Sequence, residues 1–141
     1  MGFAQQFGIQ GMRIGGHVPN TRRALAVTEY ARQAGKLHRF REAAMSAFWR
    51  EERDIEADDT LGALARAVGL DETEAVSAAS STEYLDRVDR LRQQAQQRGV
   101  HAIPAFFFGD HPAPLVGCQP FERLAAVAEQ AGATKLVAGS D

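Results

Sequence analysis

Apolar positions recur at helical spacing over the first two-thirds of the chain and then give way to short continuous runs, which separates a helical part from a β-containing part. Asn20 stands before a segment in which Leu25, Thr28 and Ala31 share a face, so a helix is predicted from Thr21 to about Ala34. Asn20 is its cap and Gly35 its left-handed stop. A second helix is predicted from about Leu37 to Glu52, burying Phe40, Ala44, Ala47 and Phe48 and leaving its opposite face charged. Asp58 is placed to cap a short third helix ending near Gly69. Asp71 followed three residues later by Glu74 has the capping-box pattern, and Ser80 with Glu83 repeats it. The latter opens a longer helix to Arg98, with Leu85, Val88, Leu91 and Ala95 inward and Gly99 as its stop. The expectation is a bundle of five helices.

The texture changes at Val100. Ile103 through Phe108 form an apolar run, Gly109, Asp110, His111 and Pro112 supply turn chemistry, and Leu115 with Val116 resumes the run, which predicts a β-hairpin. Side chains alternate along a strand, so Phe106, Phe107 and Phe108 cannot all face one way, and both faces of this strand are expected to be covered. Pro120 suits the first position of a last helix that turns Leu124, Val127 and Ala128 inward and stops at Gly132. Residues 133–141 read as a frayed tail and residues 1–19 as a lead-in.

Composition narrows the function classes. In 141 residues, 45% apolar, 16 Lys plus Arg against 18 Asp plus Glu leave a net charge of −2, which fits a single soluble domain. Such a balance gives no field for coating nucleic acid or an anionic membrane. No apolar run approaches the ~20 residues that span a bilayer. The start has no basic region leading into an apolar stretch, so it does not read as a secretory signal, and the expected location is the cytoplasm. The single cysteine, Cys118, forms no internal disulfide and excludes any site needing two sulfurs from these residues. His17, His38, His101 and His111 are scattered without ligand spacing, so no metal site is expected. Gly8, Gly11, Gly15 and Gly16 lack the strand-to-helix context of a phosphate loop, and the Arg-rich helix faces alternate with acids as solvated surfaces do. Trp49 beside Phe48 reads as a boundary aromatic.

The segment Gly99-Val100-His101-Ala102-Ile103-Pro104-Ala105-Phe106, followed after a turn by Val116-Gly117-Cys118-Gln119-Pro120, resembles the C-terminal part of DsbA-like thioredoxin-fold proteins. The nearer likeness is to the FrnE-like branch of dithiol-disulfide oxidoreductases and isomerases. Asn20-Thr21-Arg22-Arg23-Ala24, the stretch from Ala31 to Gly35, and Phe48 through Ile55 are similar to that branch's helical insertion. The likeness runs from about Pro19 to Ala131. It implies an α+β, mostly α fold: a single DsbA-like domain with a helical bundle over 20–98 and a C-terminal ββα remnant of a thioredoxin fold over 100–132. The N-terminal β-α-β unit that carries C-x-x-C in such proteins is expected to be lacking.

By the same resemblance, the bond from Ile103 to Pro104 is expected to be cis, with the Ile103 backbone free to pair with a bound peptide or with glutathione. Asn20 would begin a helix that faces the binding groove, although helix capping alone accounts for it. Cys118 stands where such sequences commonly carry Ala; it reads first as a small buried hydrophobe at a strand end, with a one-cysteine redox role as the alternative. The function implied is that of a protein dithiol-disulfide oxidoreductase or isomerase that cannot run the dithiol cycle alone, acting on a protein or thiol substrate. Two alternatives stand beside it: a non-catalytic interaction module, and a glutathione-dependent isomerase of the 2-hydroxychromene-2-carboxylate or kappa glutathione transferase type. An uncovered strand edge pairs readily with another chain, so a homodimer or association with another protein through the hairpin edge is expected.

Overall fold

The computed structural model describes residues 8, 10, 11, 16, 18–110 and 113–134. His17, His111, Pro112 and most of the lead-in and tail lie outside the described residues. Among the described residues there are six helices and one two-stranded sheet, a mostly helical α+β fold as expected. The helices are α1 (Arg22–Gln33), α2 (Leu37–Trp49), α3 (Asp58–Ala67), α4 (Glu72–Ser80), α5 (Thr82–Gln97) and α6 (Phe121–Gln130). The strands β1 (Ala105–Phe106) and β2 (Leu115–Val116) lie between α5 and α6. The chain divides into two compact units, Met1–Leu91 and Arg92–Asp141, with α5 running from one into the other.

In the first unit, a side-chain cap sets the start of α4, and left-handed glycines, Gly35 and Gly69, follow α1 and α3. Asn20 is not the cap expected of it: α1 begins at Arg22 with Thr21 at the capping position, and Asn20 Oδ1 accepts the Arg22 N–H at 3.0 Å from one residue before it, while Gly35 takes φ +67° where α1 stops. Asp71 Oδ1 accepts the Glu74 N–H at 2.8 Å and caps α4. Three further boundaries differ from expectation. The second helix ends at Trp49 rather than Glu52, because the Arg50-Glu51-Glu52-Arg53 stretch has no apolar side chain to bury. There the chain folds back, with Glu52 at φ +54° and the Arg53 N–H donating to Ala47 O at 2.9 Å. Asp58 does not cap α3; it is the first helical residue, and its carboxylate pairs with Arg23 from α1. Ser80 does not open α5 either. It ends α4, its Oγ accepts from Arg23 Nη2 at 3.4 Å, and an extended Ser81 separates the two helices.

The core of this unit is built from Val27 and Ala31 of α1, Phe40 and Ala47 of α2, Leu61, Leu64 and Ala65 of α3, and Ala75 and Ala79 of α4. Alanine at so many core positions lets helix axes approach closely, and α1 packs on both α2 and α4, and α4 on α3. Long polar side chains then tie the layer together. Arg23 donates to Glu56 O at 2.6 Å as well as to Asp58, so one guanidinium joins α1 to the start of α3. Glu29, almost fully buried, accepts from Arg32 Nε at 3.1 Å and lies 3.5 Å from Arg87 Nε, linking α1 to α5. A buried carboxylate needs such partners, since burying an unpaired charge is costly. Lys36 Nζ donates to Val68 O and Gly69 O at 3.2 Å each, satisfying carbonyls left open at the end of α3.

The second unit is built differently. β1 and β2 are antiparallel, with Ala105 opposite Val116 and Phe106 opposite Leu115. No described residue from Arg92 to Thr134 is buried. The expectation that both strand faces are covered is therefore corrected: Phe106 and Phe108 are half-buried, whereas Phe107 between them is 52% exposed. Alternation holds, but the unit has only α6 and the end of α5 beside a two-stranded ribbon, too little apolar surface to enclose both faces. Pro120 also sits one place earlier than expected, at the position before α6, where its carbonyl accepts the Leu124 N–H at 3.2 Å.

Candidate functional site

The hairpin register decides which backbone groups are available for binding. The Gly117 N–H donates to Pro104 O at 2.8 Å, which makes Pro104 and Gly117 a hydrogen-bonded pair. Hydrogen-bonded and non-hydrogen-bonded pairs alternate along an antiparallel ladder, so Phe106 with Leu115 is the next bonded pair and Ala105 with Val116 is not. The N–H and C=O of Ala105 therefore point away from β2. Ile103, which precedes β1, makes no backbone hydrogen bond among the described residues. The peptide bond from Ile103 to Pro104 is cis. Among the described residues β1 pairs with β2 alone, so this side of β1 is an open edge.

Side chains on the same edge are apolar and uncovered. Ile103 is 86% exposed, and Val116, which shares a face with Ala105 through their pairing, is 40% exposed. Ala105 and Val116 thus share a face beside the outward N–H and C=O of Ala105, with exposed Ile103 and Phe107 flanking the strand, an arrangement that accepts an added strand.

Cys118 is exposed, which corrects the reading of a small buried hydrophobe. The reason is local. β2 ends at Val116, Gly117 takes φ +83°, and Gln119 Nε2 donates to Val116 O at 2.6 Å, so the turn carries residue 118 out of the sheet. Ile103 and Pro104 adjoin the start of β1, with the Pro104 carbonyl turned toward β2 and bonded to Gly117. Asn20 belongs to the first unit, where its side-chain oxygen is taken up by the Arg22 N–H. Sequence reasoning singled out Ile103 and Pro104 as site residues but not Ala105, whose orientation follows only once the register is known.

Charge outside this edge serves the helical unit. The Arg22 guanidinium forks onto Asp89, with Nη2 at 2.6 Å and Nε at 3.2 Å from its two oxygens, and that hydrogen bonding raises the Arg22 pKa above its ordinary value. Tyr84 Oη donates to Gln33 Oε1 at 2.7 Å and its ring meets Tyr30 edge-on at 6.1 Å. Partial burial raises the pKa of both phenols, with nearby carboxylates adding to the effect. Among the described residues no three His, Cys, Asp or Glu side chains converge to hold a metal ion, and no helix is long and apolar enough to cross a membrane.

A sequence model of the DSBA-like thioredoxin domain matches residues 2–129, nearly the whole chain. The chain belongs to that family. It is also similar to an uncharacterized protein, YwbO, of Bacillus subtilis (strain 168), with 30% identity over 107 residues. That match covers 74% of this chain and 54% of the relative, so the chain spans about half of the relative's length. For a DSBA-like domain, the described residues thus comprise a helical unit with its own core and a ββα unit with an open strand edge.

Proposed function

We propose that these residues form the strand-presenting part of a FrnE-like dithiol-disulfide oxidoreductase or isomerase, one that does not complete a dithiol cycle with its own sulfur. The observation that carries this reading is the open edge of β1, where the Ala105 backbone groups face away from β2 and the preceding Ile103 makes no backbone hydrogen bond among the described residues. An extended polypeptide laid along that edge would gain main-chain hydrogen bonds there and apolar contact with Ile103 and Phe107.

The chemistry sets the limit. Reducing a substrate disulfide to two thiols takes two electrons and two protons, supplied when two enzyme thiols close into a disulfide. These residues contain one cysteine, so they supply one sulfur and can form a mixed disulfide with a partner thiol but cannot resolve it. The second sulfur, and the turn that activates it, come from polypeptide beyond these residues or from a small thiol such as glutathione. A reducing compartment such as the cytoplasm suits an exposed, unpaired thiol.

Insulin reduction by dithiothreitol tests the reading. The 141-residue chain and its Cys118→Ser variant are expected to give the same background rate. A rate well above background in the native chain that disappears in Cys118→Ser would overturn the claim that the chain lacks a dithiol cycle of its own. The open edge also favours a second reading, a protein-interaction module without redox turnover. Binding of an extended peptide that does not depend on any cysteine in the peptide would select it.

A further inference from the structure

We propose that residues 82–91, the first part of α5, form a strap that opens from α1 as a unit and is fastened by charge rather than by burial, so that ionic strength sets how often it opens. The proposal concerns the helical unit alone and is independent of the redox reading above. Along α1, Arg22, Ala26, Glu29 and Gln33 are spaced by four, three and four residues, which places them on one face, opposite the side of Ala24, Val27 and Ala31 that enters the core. Three of the four meet α5. Arg22 forks onto Asp89, Glu29 lies 3.5 Å from Arg87 Nε, and Gln33 accepts from Tyr84 Oη at 2.7 Å. The α5 partners fall in number as those on α1 rise, so the two helices run antiparallel along this face.

Burial contributes little to the fastening. Val88 alone is buried in α5, whereas the shorter α4 buries Ala75, Ala78 and Ala79. Neither Val88 nor the fully buried Ala26 belongs to the core cluster. The links themselves return readily to water: the Arg22 and Asp89 side chains are each 44% exposed, and exposed ion pairs are weak. Glu29 is almost fully buried, but Arg32 Nε, from within α1, lies 3.1 and 3.2 Å from its two oxygens, so departure of Arg87 leaves the carboxylate with a partner. The fold also supplies a pivot. Ser81, extended at ψ 130°, is the single residue between α4 and α5, and Ala75 and Ala79 anchor α4 in the core. A segment with few buried side chains and half-exposed polar links opens at less cost than the core. The two ion pairs across the contact join unlike charges, with Asp86 adding to the attraction on Arg22, so screening favours the open form.

Amide hydrogen exchange of the native 141-residue chain in low and high sodium chloride, about 0.01 M and about 1 M, tests this, because the screening length falls between them from about 30 Å to about 3 Å. The amides of Leu85, Val88 and Leu91 are expected to exchange through one shared opening, more easily reached than that of Leu64 and Ala65 in α3, and at least about threefold faster at high salt. Leu64 and Ala65, read in the same sample, should show no such rise, which separates opening of the strap from any general effect of salt. Arg22→Gln removes one fastening from α1 without altering α5. In that variant the three α5 amides should exchange at least about twofold faster than native at low salt and respond less to added salt. Arg22 lies outside the core cluster, so circular dichroism of the variant should show native helix content. Equal protection of the Val88 and Leu64 amides, or exchange in α5 that ignores salt, would overturn the proposal. So would rates that climb steadily from Leu85 to Leu91, as fraying from the far end gives, or an Arg22→Gln variant with the native salt response.

Discussion

Phe40 is the largest side chain in the helical unit with no exposure, and it belongs to a core cluster in which its removal would leave a cavity. Phe40→Ala should therefore destabilise the chain by about 3–5 kcal/mol, read as a fall in denaturation midpoint. Asp71→Ala removes the side chain that accepts the Glu74 N–H and should cost about 1 kcal/mol, with Asp71→Asn costing much less. At Cys118 the structure and the first reading part company, and reactivity tells them apart. The exposed thiol should react with an aromatic disulfide in the native chain at one equivalent, without denaturant. Single residues were legible where the chemistry is local: Asp71 caps its helix by accepting a backbone amide three residues away, as its spacing to Glu74 predicts. Asp58 was not, because the partner that claims its carboxylate, Arg23, lies 35 positions earlier and is brought close only by packing.

At the scale of elements, every predicted helix is present, and the errors are at ends where burial overrides local preference. The second helix had helix-forming residues through Glu52 but no apolar side chain after Trp49 to anchor them. The inward stripe on α5 is also incomplete: Val88 is buried, but Leu91 is 44% exposed. What holds α5 to α1 is largely polar and aromatic, through Arg22 to Asp89, Arg87 to Glu29, and Tyr84 to Gln33 and Tyr30. The raised pKa values of Tyr30 and Tyr84 give this contact a pH dependence. Folded protein holds these phenol protons more tightly than unfolded chain does. Their contribution is thus fully present below the ordinary tyrosine pKa of 10.0 and is lost as pH rises through the higher folded values. Melting temperature should fall above about pH 10, and Tyr30→Phe with Tyr84→Phe together should reduce that slope. An unchanged slope in the double variant would assign the alkaline loss to other groups.

For the whole molecule, hydrophobic burial is concentrated in the helical unit, while the ββα unit has no buried residue among those described. The family was legible because its motif around Ile103 and Pro104 is short, ordered and distinctive, and the match over residues 2–129 supports it. The open edge was anticipated in outline. Its membership was not, since a hairpin slipped by one residue would turn the Ala105 backbone groups toward β2, and nothing in the sequence alone fixes that register. Two units with such different burial should differ in the free energy at which they open.

Native-state amide hydrogen exchange, resolved by residue and compared between α3 and α6, tests that division most directly. The amides of Leu64 and Ala65 should exchange only through global unfolding, while those of Leu124, Val127 and Ala128 exchange at least about a hundredfold faster. Equal protection in the two helices would contradict it, because it would mean that the ββα unit shares the cooperative core of the helical unit.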